Sequence, residues 1–230
     1  MTAFRKSGMM EANLGKLFFM VITYHGLECF KVSLGDLTLA FNPFSKESAK
    51  KHGLKEVKFG ADIVFVAAKH PDFSGVEQVT YGEKVPFVVS GPGEYEVGDL
   101  VIRGFGVKTT YAGIERFATI YQVTLEGANL LFLGALGEGK LEASVLGALG
   151  EIDIMFVPVG GEEVLDAAAA SALAVKLEAR VVIPMHYEKD TLAAFLKEEG
   201  SDAKPQDKLT IRKKDLLAME GEIVVLSTEK

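Results

Sequence analysis

Residues 61–67, Ala-Asp-Ile-Val-Phe-Val-Ala, run without interruption into Ala68-Lys69-His70-Pro71-Asp72-Phe73-Ser74-Gly75. A short β-branched apolar run that stops at Pro and Gly reads as a buried strand ending in a loop. The chain must therefore build a sheet with this strand inside it. The loop carries an imidazole and a carboxylate two residues apart, so two short side chains sit at one sheet edge, where they can converge on one ion.

The same arrangement returns near the other end. Val181-Val182-Ile183-Pro184 is a second apolar strand, and Met185-His186-Tyr187 again places a histidine just past its end. Ligand sites in α/β proteins gather at strand ends, so His70, Asp72 and His186 form a candidate set. Either histidine alone also fits a blander role, capping a sheet edge by hydrogen bonding.

Between these points the pattern is strand-rich and then mixed. Residues 17–24, 29–34 and 37–41 are three short strands separated by Gly26 and Gly35-Asp36, which predicts a meander. Residues 46–52 read as a short polar helix. Strands are expected at 86–89, 95–97 and 100–102, and a hairpin pairs 117–125 with 129–133 around Glu126-Gly127. Residues 152–159 then form an apolar strand, 163–178 an alanine-rich helix with Asp166 in its first turn, and 180–184 the next strand. A β-helix-β passage needs a crossover and implies parallel pairing. A helix at 191–199 closed by Gly200, and strands at 209–211 and 222–226, complete the chain. Hairpins in the first portion of each half with helices outside describe an α/β fold, a four-layer αββα sandwich.

Bulk properties narrow the function classes. The 230 residues suit one core, read as a domain over 20–230 after an N-terminal extension at 1–19. Arg5-Lys6 followed by the apolar residues 17–22 lacks a small-residue cleavage site and is not read as a signal peptide. A net charge of −7 with no extended basic cluster argues against nucleic acid and anionic membranes as partners. No apolar run reaches the roughly 18 residues a membrane helix needs. The single Cys29 permits no internal disulfide, fits a cytoplasmic setting, and reads as a small core residue.

Taken together, Ile22-Thr23-Tyr24-His25-Gly26-Leu27-Glu28-Cys29-Phe30, Asn42-Pro43-Phe44, the loop after residue 67, Gly91-Pro92-Gly93-Glu94-Tyr95-Glu96, Pro158-Val159-Gly160-Gly161 and Ile183-Pro184-Met185-His186-Tyr187 resemble the lactonase-like branch of the metallo-β-lactamase superfamily. The resemblance implies the αββα sandwich and a zinc- or manganese-dependent hydrolase ancestry. It also implies a motif H-x-H-x-D-H, of which His70 and Asp72 match two positions while Ala68 and Phe73 stand at the outer two. Leu27 stands at another expected histidine, Ala135 at the expected bridging aspartate, and residues 108–111 contain no histidine. With four histidines in the chain, His25, His52, His70 and His186, a dinuclear centre of the family type is not expected.

Two outcomes follow. His70, Asp72 and His186 hold one weakly bound zinc, manganese or iron ion, with Asp72 also the catalytic group that orients water; or no ion is held and activity is lost. The alternative from another class is a binding protein that uses the old cleft for a small-molecule ligand, or a surface for self-association into a homo-oligomer. Two further motifs are weighed against chemistry. Gly134 to Lys140 fits G-x-x-x-x-G-K, but Leu141 occupies the position that should hold magnesium, and Glu94 and Glu96 share a strand face as solvated charges do.

Overall fold

A computed structural model describes residues 19–83 and 85–229. Except for Phe19, the N-terminal extension lies outside the described residues. Strands β1 (Met20–Gly26), β2 (Cys29–Leu34) and β3 (Leu37–Phe41) form the expected antiparallel meander. Helix α1 (Lys46–Lys51) follows, and β4 (Ile63–Phe65) and β5 (Phe87–Val89) extend the sheet in parallel.

A second sheet begins with β6 (Gly93–Val97), β7 (Leu100–Tyr111), β8 (Ile114–Leu125) and β9 (Ala128–Phe132), paired antiparallel. After α2 (Ala143–Ala148), strand β10 (Ile154–Pro158) crosses through α3 (Ala167–Leu177) to β11 (Val181–Met185), and β9, β10 and β11 run parallel. Past α4 (Lys189–Glu198), β12 (Leu209–Ile211) returns to the first sheet beside β1; after α5 (Lys213–Leu216), β13 (Glu222–Ile223) joins the second beside β11.

Alternation along the strands dictates the layers, because successive side chains point to opposite faces. In β10, Ile154 and Phe156 face the first sheet, while Met155 and Val157 face α3 and α4. The inter-sheet core is aromatic: Phe41 stacks on Phe65 at 4.5 Å and meets Phe132 at 5.0 Å, and Phe30 meets Phe156 at 4.7 Å. Ala49 of α1 packs with Cys29, Phe44 and Val64 on the outer face of the first sheet. Two sheets flanked by helices give the αββα sandwich.

Several boundaries depart from the sequence reading. Helix α3 starts at Ala167, not 163, because Leu165 N donates to Leu136 O (2.9 Å) and Asp166 is the cap, its Oδ1 accepting from Ala169 N at 2.8 Å. Strands β7 and β8 are each 12 residues long, well beyond the pieces predicted. Glycine weakens a strand pattern, but Gly104 is required: a Cβ there would lie 2.8 Å from Gly91 O. Helix α5 was not expected; Asp215 caps it by accepting from Arg212 N at 3.2 Å, and Lys213 reaches the buried carboxylate of Asp153. Among the described residues no helix is long and apolar enough to cross a membrane.

Candidate functional site

The loop after β4 is fixed from both sides. Asn42 Oδ1 accepts from Ala67 N at 2.7 Å, and Gly75 N donates to Pro43 O at 2.6 Å. Gly75 lies so close to the backbone of Phe44 that a Cβ would come within 2.3 Å of its carbonyl carbon. Inside the loop, Phe73 N and Ser74 N both donate to His70 O, so the His70-to-Ser74 turn is tight. At the end of β11, His186 takes φ of 53° and its N–H donates to Leu27 O at 2.7 Å. Gly160 makes room for that bend, since a Cβ there would lie 2.2 Å from His186 O.

These constraints bring His70, Asp72 and His186 to one region. Asp72 is buried, and its carboxylate is well occupied: Ser48 Oγ donates to Oδ1 at 2.5 Å and the Tyr111 hydroxyl donates to Oδ2 at 2.9 Å. His70 Nδ1 and His52 Nε2 each lie 3.4 Å from Oδ2. His70 Nδ1 also lies 3.2 Å from Asp72 N. His186 Nδ1 is 3.0 Å from Oε1 of Glu28, a fully buried carboxylate whose Oε2 accepts from Asn42 Nδ2 at 2.7 Å.

Electrostatics follow from these contacts. Burial works to raise the Asp72 pKa, but the Ser48 and Tyr111 hydrogen bonds, with His70 and His52 beside them, hold it below the ordinary carboxylate value. Burial depresses His70, against the pull of Asp72 and with Arg116 and Lys51 adding to the depression. Burial first, then the Asp72 carboxylate, pushes the Tyr111 hydroxyl far up, so it remains a donor.

Tyr111 is the residue that decides how the candidate donors meet. Its ring meets His70 at 5.1 Å and His186 at 5.7 Å, both edge-on, and Phe73 at 4.7 Å. Ala68, Phe73, Tyr111, Ala118, Ala135 and Val164 form a buried apolar cluster. Three of these, Ala68, Phe73 and Ala135, are positions where the resemblance places ligands. Among the described residues no group of three or more His, Cys, Asp or Glu side chains is placed to hold a metal ion. As placed, His70, Asp72 and His186 are each hydrogen-bonded or ion-paired and lie beside the Tyr111 side chain.

The remaining sequence candidates lie elsewhere. His25 Nδ1 pairs with Glu229 at 3.1 Å, Cys29 is buried with its thiol pushed up by burial, and Glu94 and Glu96 are exposed. Helix α2 begins three residues past Lys140, and Leu141 is buried in the outer core, so Gly134 to Lys140 is not a phosphate-binding loop opening a helix. Sequence reasoning missed Glu28, Ser48, His52 and Tyr111. The available signal was Glu28, a charge between Leu27 and the core residues Cys29 and Phe30. Next to the polar cluster is a cleft of about 420 Å³ lined by Lys51, His52, Tyr111, Glu162, Glu163 and His186 among others.

Two facing sheets with this strand order and a polar cluster at the ends of β4 and β11 define a metallo-β-lactamase fold. The chain belongs to the β-lactamase superfamily: the model of the β-lactamase superfamily domain matches residues 21–186. A UPF0173 metal-dependent hydrolase of Listeria innocua is 28% identical over 196 residues, covering 73% of this chain and 85% of the relative. A Thermotoga maritima protein of the metallo-β-lactamase superfamily, regarded as a zinc-dependent hydrolase, superposes with a TM-score of 0.69 at 27% identity, covering 90% of this chain and 98% of the other. A metallo hydrolase of Ignicoccus hospitalis shares the fold at 18% identity, with a TM-score of 0.59 and coverage of 92% and 97%.

Proposed function

We propose that this chain is a metallo-β-lactamase-fold protein that has lost the family's two-metal hydrolysis and uses the old active-site cleft to bind a small ligand. One observation carries the reading. Ala68, Phe73 and Ala135 close with Tyr111 into a buried apolar cluster, while the Tyr111 hydroxyl is bonded to the carboxylate of Asp72. A metal-activated water needs an ion with an open position and carboxylates free to coordinate it. Here the retained carboxylates, Asp72 and Glu28, are engaged with hydroxyls, imidazoles and an amide.

A second reading is favoured by the metal-dependent relatives: His70, Asp72 and His186 hold one labile ion once the Tyr111 side chain swings aside. Assay on lactone and phosphodiester panels with added zinc or manganese separates the two. The first reading expects no turnover above buffer. Turnover that a chelator abolishes, and that disappears in Asp72→Asn, overturns it.

A further inference from the structure

The cleft beside the polar cluster has its charges sorted by origin. Lys51 and His52 reach it from the C-terminal end of α1, outside the first sheet, whereas Glu162 and Glu163 come from the loop after β10 and Glu188 from the loop after β11, both strands of the second sheet. Lys51, Glu162 and Glu163 are exposed, and among the described residues their side chains make no ion pair or hydrogen bond. A cation and three carboxylates, those of Glu162, Glu163 and Glu188, thus border one concavity of about 420 Å³, with no ion pair between Lys51 and any of them. Tyr111 and Tyr187 supply aromatic wall to the same cleft.

A purely anionic ligand would meet Glu162 and Glu163 unopposed, in a chain of net charge −7; a purely cationic one would leave Lys51 repelled. A molecule carrying both charges meets neither penalty, and a cleft of this volume is in the small-ligand range. We propose that the cleft binds a small zwitterion of amino-acid or dipeptide size, its carboxylate toward Lys51 and His52, its ammonium toward Glu162 and Glu163, and its aliphatic part against Tyr111 and Tyr187. The inference rests on the reading of the cleft as a metal-free ligand site.

Isothermal titration of the full chain with leucine, glycyl-leucine, N-acetyl-glycyl-leucine and glycyl-leucinamide tests it. The two zwitterions bind, and each single-charge dipeptide analogue binds at least about tenfold more weakly than glycyl-leucine. Lys51→Gln abolishes the preference for the free carboxylate, and the double substitution Glu162→Gln with Glu163→Gln, which leaves Glu188 in the cleft, reduces the preference for the free ammonium. Binding of neither zwitterion, or of an analogue as tightly as glycyl-leucine, overturns the inference. The same titrations with a chelator and with one equivalent of zinc keep the two readings apart. Unchanged binding supports both, whereas zwitterion binding that requires zinc overturns the metal-free reading and leaves the charge sorting intact.

Discussion

Replacing Tyr111 by Phe removes one oxygen and with it the donor that holds Asp72 Oδ2 at 2.9 Å. The ring stays in its apolar cluster with Ala68, Phe73 and Ala135, so the change isolates the hydrogen bond from the packing. A bond to a charged acceptor contributes about 1.5–3 kcal/mol. Asp72 keeps the Ser48 bond on Oδ1 and has His52 and His70 at 3.4 Å, so the loss falls near the lower end, about 1.5–2 kcal/mol. For a chain of this size that lowers Tm by about 3–8 °C. The sign with pH is fixed by the depressed pKa of Asp72: its contribution is fully present above the ordinary value of 3.8 and is lost as pH falls through the lower folded value. The variant has a smaller depression, so the gap from the parent protein is present at neutral pH and closes below 3.8. Urea unfolding midpoints measured from neutral to acid pH read both effects. A variant as stable as the parent at neutral pH, or a gap that widens on acidification, refutes the placement of the phenol on Asp72.

Other perturbations follow from the same contacts. Burial, partly opposed by Glu229, lowers the pKa of His25 from 6.5 to about 4; stability therefore falls as pH drops through that window, and His25→Gln flattens the slope in pH-dependent unfolding. Glu28→Ala strips the fully buried partner from His186 and Asn42 and lowers unfolding free energy by about 3–5 kcal/mol in denaturant titration. Gly75→Ala drives a Cβ to 2.3 Å from the Phe44 backbone; shifting that contact costs about 1–3 kcal/mol, read as a lower Tm in scanning calorimetry.

The legible parts of this molecule were those governed by local pattern. The β1–β3 meander, the parallel β10-α3-β11 passage and the strand ends that carry His70 and His186 follow from apolar runs and turn residues alone. The long β7–β8 hairpin was hidden by Gly104 and Gly106; Gly104 is there because the carbonyl of Gly91 passes close by, a tertiary cause invisible in a one-dimensional pattern. In the site, Ala68, Phe73 and Ala135 could be read one at a time, but their joining with Tyr111, 38 residues from Phe73 in sequence, into one cluster required the fold. His52 looked like a solvated helix residue because nothing local to 46–52 points at Asp72; the helix C-terminus is turned toward it by the Ser48 bond.

Elemental analysis of the full chain, purified without chelator, tests most directly whether the protein's own side chains have taken the place of metal. Far less than one zinc, manganese or iron per chain, unchanged by Tyr111→Phe, agrees with a pocket closed by the Tyr111 cluster. One or more ions per chain, removed by chelator and absent from Asp72→Asn, contradicts it.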